Sequence, residues 1–184
     1  MIKPFIKKYC YDSFLKYNFL FRKITNSFDP EMKYIPEIVR NRRRAIDIGA
    51  NIGIYTKYLS KYFNYVESFE PIYESSKNIN IAKLNNVRVH HCALSNKSSR
   101  AAIQIPVKNG LKRYGNSSLE NNIFSKFLTV NIEEIERKTL DSFKFEHVDF
   151  IKIDVEGHEL EVIEGAAQTI QKNKPVMLIE IEGR

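Results

Sequence analysis

The stretch Ala45-Ile46-Asp47-Ile48-Gly49-Ala50-Asn51-Ile52-Gly53-Ile54-Tyr55-Thr56 constrains the fold of this chain more than any other. An apolar run ends in an acid, two glycines bracket a short turn, and a helix-like pattern follows. That order describes a strand feeding a tight loop and a helix N-terminus, where α/β proteins bind nucleoside-bearing ligands. The spacing Gly49-x-x-x-Gly53, with Asn51 between, departs from the G-x-G-x-x-G of dinucleotide sites. Asp47 stands two residues before the first glycine. A carboxylate there suits a cationic or amino-acid-bearing ligand better than a pyrophosphate, which requires bare N–H groups.

The rest of the chain supplies the alternation such a loop needs. Strand patterns at 45–48, 65–70, 87–92, 148–153 and 176–181 are separated by helical patterns at 54–63, 72–84 and 159–172. Strands spaced by helices of this length imply a parallel sheet with right-handed crossovers. The rhythm breaks once. Residues 100–106 and 126–132 both read as strands, and a polar Gly/Asn/Ser-rich segment, 108–122, joins them. The expected fold is therefore α/β: a Rossmann-like, doubly wound, mostly parallel sheet carrying an inserted strand pair. Ahead of it, residues 4–27 read as an aromatic, Lys-rich helix, and Asp29-Pro30-Glu31 reads as the start of a second helix reaching about Arg40. The division is a basic helical N-terminal extension, 1–44, and a Rossmann-like domain, 45–184.

Charge follows the same division. Residues 1–44 hold eleven Lys/Arg against four Asp/Glu, which is the whole of the formal net charge of +7. The body from 45 onward is balanced, so its basic pI does not by itself argue for nucleic acid. No apolar run approaches the roughly 20 residues of a membrane span, and Met1–Lys8 has no secretory h-region, so a cytoplasmic protein is expected. Cys10 and Cys92 form no disulfide framework.

Three further clusters carry chemistry. Glu70, in Phe69-Glu70-Pro71, lies twenty-one residues after Gly49. An acid about 20 residues past the glycine loop, at a strand's C-terminal end, can accept both hydroxyls of a ribose. Alone it reads equally as a helix-capping acid; beside the loop, the ligand role is favoured. His91-Cys92-Ala93-Leu94-Ser95 follows the third strand and is expected to bring small groups such as Ala93 to a nucleobase. In Ile151-Lys152-Ile153-Asp154-Val155-Glu156-Gly157-His158-Glu159, acids and a histidine gather at a strand's carboxyl edge, which faces the ligand crevice in open α/β sheets. Asp154, Glu156 and His158 are the catalytic candidates, to orient a sulfonium or take a hydroxyl proton. Their spacing would also suit a divalent metal if the segment were extended, but no metal site is assigned. Lys152 is expected to pair with an acid on a neighbouring strand. Glu159 and Glu161 are given to the following helix. The cofactor candidates are Asp47, Gly49, Asn51, Gly53, Glu70 and Ala93, and the ligand the first motif favours is S-adenosylmethionine.

As a set, Asp47–Gly53, Phe69-Glu70-Pro71, Gly115-Asn116-Ser117-Ser118-Leu119, Thr139-Leu140-Asp141 and Phe150–Glu159 with its continuation to Ala166 resemble the FkbM-type methyltransferases, a branch of the class I S-adenosylmethionine-dependent enzymes. The resemblance runs from about residue 44 to the end. It implies methyl transfer, often to a hydroxyl of a sugar or polyketide-like acceptor. It also implies that Asp47, Gly49 and Gly53 line the cofactor's amino-acid and ribose end, that Glu70 binds ribose, and that Ser117 and Ser118 lie over the acceptor side. Such enzymes close the sheet with a sixth and an antiparallel seventh strand. Here the chain stops after the fifth, so the closing strands six and seven are expected to be missing. The leading expectation is O-methylation of a sugar, glycan or small natural product. The alternatives are a nucleic-acid methyltransferase using the basic arm, which is not favoured, and a degenerate cofactor-binding module without turnover. The basic aromatic helix could also touch a membrane surface peripherally.

Overall fold

Runs as apolar as Ala45–Ile48 and Phe150–Ile153 can be buried only in a sheet covered on both faces. The computed structural model, which describes residues 29–81, 84–108, 111–112, 117–119 and 129–181, has that arrangement. In chain order the elements are a 3₁₀ turn Pro30–Tyr34, α1 Ile35–Ile38, β1 Arg44–Ile48, α2 Ile54–Leu59, β2 Tyr65–Phe69, α3 Tyr73–Ile81, β3 Val87–His90, β4 Ala93–Leu94, β5 Ser99–Lys108, β6 Leu111–Lys112 and β7 Thr129–Lys138. There follow a 3₁₀ turn Leu140–Phe143, β8 Val148–Ile153, α4 Glu159–Glu164, α5 Ala167–Asn173 and β9 Val176–Ile179.

The main sheet has the order β3-β2-β1-β8-β9, and every pairing in it is parallel. Its faces carry separate cores. Ile46, Ile48, Phe69, Ile151 and Ile153 pack with Val162 and Ala166 on the side of α4 and α5. Ala45, Val66 and Phe150 pack on the other side with Tyr55 and Leu59 of α2 and with Met32, Ile35 and Val39. The period-2 alternation of a strand decides which residue joins which core. Ile46 and Ile48 go one way, and Ala45 and Asp47 the other. In β8 one extra residue, Asp149, sits opposite the step from Arg44 to Ala45. Arg43 holds its carboxylate through Nη2, at 2.6 Å.

The inserted strand pair is larger than the sequence suggested. It is a second four-stranded sheet, β4-β7-β5-β6, in which β5 and β7 pair antiparallel from Ser99↔Arg137 to Val107↔Thr129. The strand expected over 126–132 therefore runs to Lys138. Its charged half, Glu133–Lys138, buries only Ile135 and spends its other positions on cross-strand partners such as Lys112, which reaches Glu133 at 2.8 Å. The helix expected over 159–172 is broken at Gly165-Ala166 by a tertiary contact. A Cβ on Gly165 would lie 2.0 Å from the carbonyl oxygen of Ser95. The second helix expected from Asp29 is a 3₁₀ turn followed by four α-helical residues. The aromatic helix expected at 4–27, and Cys10 with it, lie outside the described residues. No helix among the described residues is long and apolar enough to cross a membrane.

Candidate functional site

The carboxyl ends of β1, β2 and β8 converge on a cleft. One side of it is the turn after β1. Gly49 adopts φ +76°, and a Cβ there would lie 1.8 Å from the carbonyl oxygen of Asp154. Only glycine lets β1 and β8 leave the sheet this close together. The N–H groups of Gly49 and Ala50 both donate to the Phe69 carbonyl at 3.0 Å, which ties the turn to the end of β2. Asn51 takes φ +50° and sends its N–H to Glu70 Oε2 at 2.8 Å.

Glu70 is the charged anchor of the cleft. It is buried, and its second oxygen accepts the N–H of Ile72 at 2.9 Å. Burial pushes its carboxyl up to about 7, outweighing the two backbone donors that favour the charged form. Each carboxylate oxygen keeps a further lone pair beyond the one its N–H occupies. The floor and far wall are apolar: Phe69, Ile72, Leu119 and, from the second sheet, Leu94 and Ile103. Cys92 and Ala93 line it between them, and burial raises the Cys92 thiol to about 11.

After β8 the chain turns sharply. Glu156 has φ +54° and Gly157 φ +93°, so Asp154, Glu156 and His158 are not the extended ligand set a metal would need. Among the described residues no group of three His, Cys, Asp or Glu side chains gathers as a metal site. All three candidates nevertheless line the cleft. Asp154 Oδ2 meets Lys152 Nζ at 2.8 Å. The Glu156 carbonyl accepts the Ser118 hydroxyl at 2.7 Å, which fastens the second sheet to the turn. His158 is buried, with Nε2 3.0 Å from Ser95 Oγ and Nδ1 3.5 Å from Glu161 Oε2. Glu159 accepts the Gly157 N–H at 2.8 Å and so serves the start of α4.

Two expected cofactor residues stand elsewhere. Asp47 does not reach the cleft. It shares the α2 face of β1, is fully buried, and accepts Thr56 Oγ1 at 2.6 Å. Its register partner on β8 is Lys152. Burial raises the Asp47 carboxyl, while Lys152 and the Thr56 hydroxyl oppose that rise. Gly53 also stays out of the lining. It takes φ +84° to turn the chain into α2, and a Cβ there would lie 2.7 Å from Ile79 Cγ1. Gly49, Asn51, Glu70 and Ala93 all line the cleft. The sequence reading did not find Ile103 or Leu119. The trace of Ile103 was its alternation with Ile105, which marks a half-buried strand and not a ligand wall, and Leu119 entered only as the end of the Gly115–Leu119 motif.

The histidines of the third strand serve the fold. His90 Nε2 lies 2.8 Å from Glu67 Oε2 and its ring stacks on Phe69, while His91 Nδ1 lies 2.6 Å from Ser76 Oγ.

Comparison with known proteins agrees with this geometry. "Methyltransferase 1" of Beauveria bassiana (strain ARSEF 2860) is 25% identical over 149 residues, 65% of this chain and 57% of that protein. The chain thus spans little more than half the length of this relative. In fold it is similar to the crystal structure of an FkbM methyltransferase from Methylobacillus flagellatus KT, with a TM-score of 0.54 and 20% identity over 81% of this chain and 39% of that one. Residues 47–184, from the acid that precedes the glycine turn through all the elements around the cleft, match the methyltransferase FkbM domain, and the chain belongs to that family.

Proposed function

We propose that the protein is an S-adenosylmethionine-dependent methyltransferase that methylates a hydroxyl of a sugar, glycan or small natural-product acceptor. The observation that carries the reading is the Glu70 carboxylate, buried at the cleft and held by the N–H groups of Asn51 and Ile72. Its remaining lone pairs suit the vicinal hydroxyls of a ribose. The bare Cα of Gly49 suits close approach of a ligand, and Phe69, Ile72, Leu94 and Leu119 suit a nucleobase. The residues therefore fit the cofactor.

When bound, S-adenosylmethionine supplies a methyl group whose bond pair remains on sulfur as the group leaves. The chain's own work is alignment and exclusion of water, the terms that dominate when a transferred group is already activated. Glu70 and the Gly49–Asn51 turn hold the nucleoside. Asp154, at the carboxyl end of β8, accepts the proton that the acceptor hydroxyl loses as its oxygen takes the methyl. Lys152 Nζ, at 2.8 Å, holds the Asp154 carboxylate in position. Glu156 and His158 shape the wall beside it.

The test is calorimetric titration with S-adenosylhomocysteine. The wild-type protein is expected to bind, and Glu70→Ala is expected to lose at least about tenfold in affinity, since hydrogen bonds to a charged group contribute about 1.5–3 kcal/mol. Equal affinity in the two proteins removes the ribose assignment.

A further inference from the structure

Every strand of the main sheet runs the same way, so the turns entering β1, β2, β8 and β9 all lie at one edge, opposite the cleft. Hydrogen bonds tie these turns together. The N–H groups of Asn64 and Tyr65 donate to the carbonyls of Arg42 and Arg43 at 2.8 and 3.0 Å. Arg43 reaches both Asp149 and His147, and Asn173 accepts the Val148 N–H at 3.1 Å. The edge is basic. Arg40 and Arg42–Arg44 lead into β1, and Lys61 precedes β2. Lys144 precedes β8, and Lys172 and Lys174 precede β9. All of these but Arg44 are exposed. Among the described residues, the acids that stand beside these eight cations are Glu37, Glu67, Glu146 and Asp149, which leaves a surplus of four positive charges. This charge is counted from Arg40 onward. Asp29, where the described chain begins, stands instead beside Glu180 past the carboxyl end of β9.

We infer that this edge docks on an anionic lipid surface, with the cleft turned away from it. Cations at the end of α5 also offset that helix's dipole, which accounts for Lys172 and Lys174. It does not account for Arg40 and Arg42, which precede a strand. What unites the cations is a shared plane: they come from four separate turns at the ends of parallel strands, and a bilayer is a flat target that meets them together. Lys and Arg near an anionic leaflet are each attracted to it, and the attraction is summed over all those within a Debye length of the surface. The aromatic residues on the edge suit the same partner. Tyr65 is 59% exposed with the Arg44 guanidinium 5.6 Å from its ring centre, and Tyr62 is 37% exposed with Arg42 at 5.9 Å. Tyrosine beside arginine has an apolar body and a polar rim, the combination found at headgroup depth. The six residues of β8, at about 3.3 Å each, hold the cleft about 20 Å from the lipid and open to water.

The test is flotation of the full chain with phosphatidylcholine vesicles, with and without about one-third phosphatidylglycerol. The protein is expected to float with the anionic vesicles, to ignore the neutral ones, and to be released as salt rises from about 0.1 to 0.5 M. Each cation at such a surface contributes about fivefold, so Arg40→Gln/Arg42→Gln/Lys61→Gln should lose about a hundredfold in vesicle affinity. Because Arg42 also reaches the Pro36 carbonyl, Lys172→Gln/Lys174→Asn on a separate turn is read alongside it, with circular dichroism to confirm each fold. That pair should lose at least about tenfold. Unchanged affinity in a folded variant overturns the proposal, since the attachment then belongs to another part of the chain. Equal flotation with neutral vesicles, or none with anionic ones, also overturns it. So does tighter binding to a short single-stranded RNA than to the vesicles, lost in the same variants, which would make the edge a nucleic-acid face.

Discussion

Glu70 makes cofactor binding depend on pH in a direction the structure dictates. Its carboxyl sits at about 7 because burial disfavours the charge more than the Asn51 and Ile72 N–H groups favour it. A ribose donates hydrogen bonds and so prefers the carboxylate. At pH 6 about one-tenth of the free protein carries that carboxylate and at pH 8 about nine-tenths. Affinity for S-adenosylhomocysteine should therefore rise about tenfold between pH 6 and pH 8, or about 1.4 kcal/mol. Binding near pH 7 should release protons. Calorimetry in two buffers of different ionisation enthalpy measures both quantities. The same group acts oppositely on the fold. Its value is raised above that of the unfolded chain, so between pH 4.5 and about 7 the native state retains a proton the unfolded chain has lost. The stability this confers is complete below pH 4.5 and is lost as pH rises through about 7. In Glu70→Gln the slope of affinity against pH should vanish. A flat affinity from pH 6 to 8 in the wild-type protein, or an unchanged slope in Glu70→Gln, would refute the reasoning.

Gly49→Ala should destabilise the protein by more than about 3 kcal/mol in urea unfolding, because a left-handed conformation costs about 1–2 kcal/mol by itself. The new Cβ would also overlap the Asp154 carbonyl, 1.8 Å away. An unchanged urea midpoint would mean that β1 and β8 can part without penalty. Lys152→Met leaves the buried Asp47 without its cation, and stranding one member of a buried pair costs about 3–5 kcal/mol. Because the variant raises the Asp47 carboxyl further, the deficit should be larger at pH 8 than at pH 5.5. A deficit independent of pH would show that packing, and not charge, is what Lys152 supplies.

The fold was legible where burial is repetitive. Ala45–Ile48 and Val148–Ile153 announce themselves because a strand covered on both faces is apolar over most of its length. The glycine turn and Glu70 were legible for a different reason. Few residues other than glycine tolerate φ near +76° against a neighbouring backbone, and the acid's distance along the chain follows from one strand-helix-strand unit. The charged half of β7 was not legible, because Glu133, Glu134 and Glu136 match a strand only once β5 lies beside them. Nor was the break at Gly165, which exists because Ser95 approaches from another part of the chain.

Local sequence, then, determined the order of strands and helices, the turn after β1 and the acid at the end of β2, since backbone sterics and hydrophobic period act over a few residues. Tertiary structure decided which of the acids face a ligand. Asp47 stands on β1 and Asp154 just past the end of the adjacent β8, and both answer to Lys152. One is sealed under α2 and the other opens on the cleft. That difference follows from which face of the sheet each side chain meets and from how far past the strand's end it lies. Neither is settled until the strands are side by side.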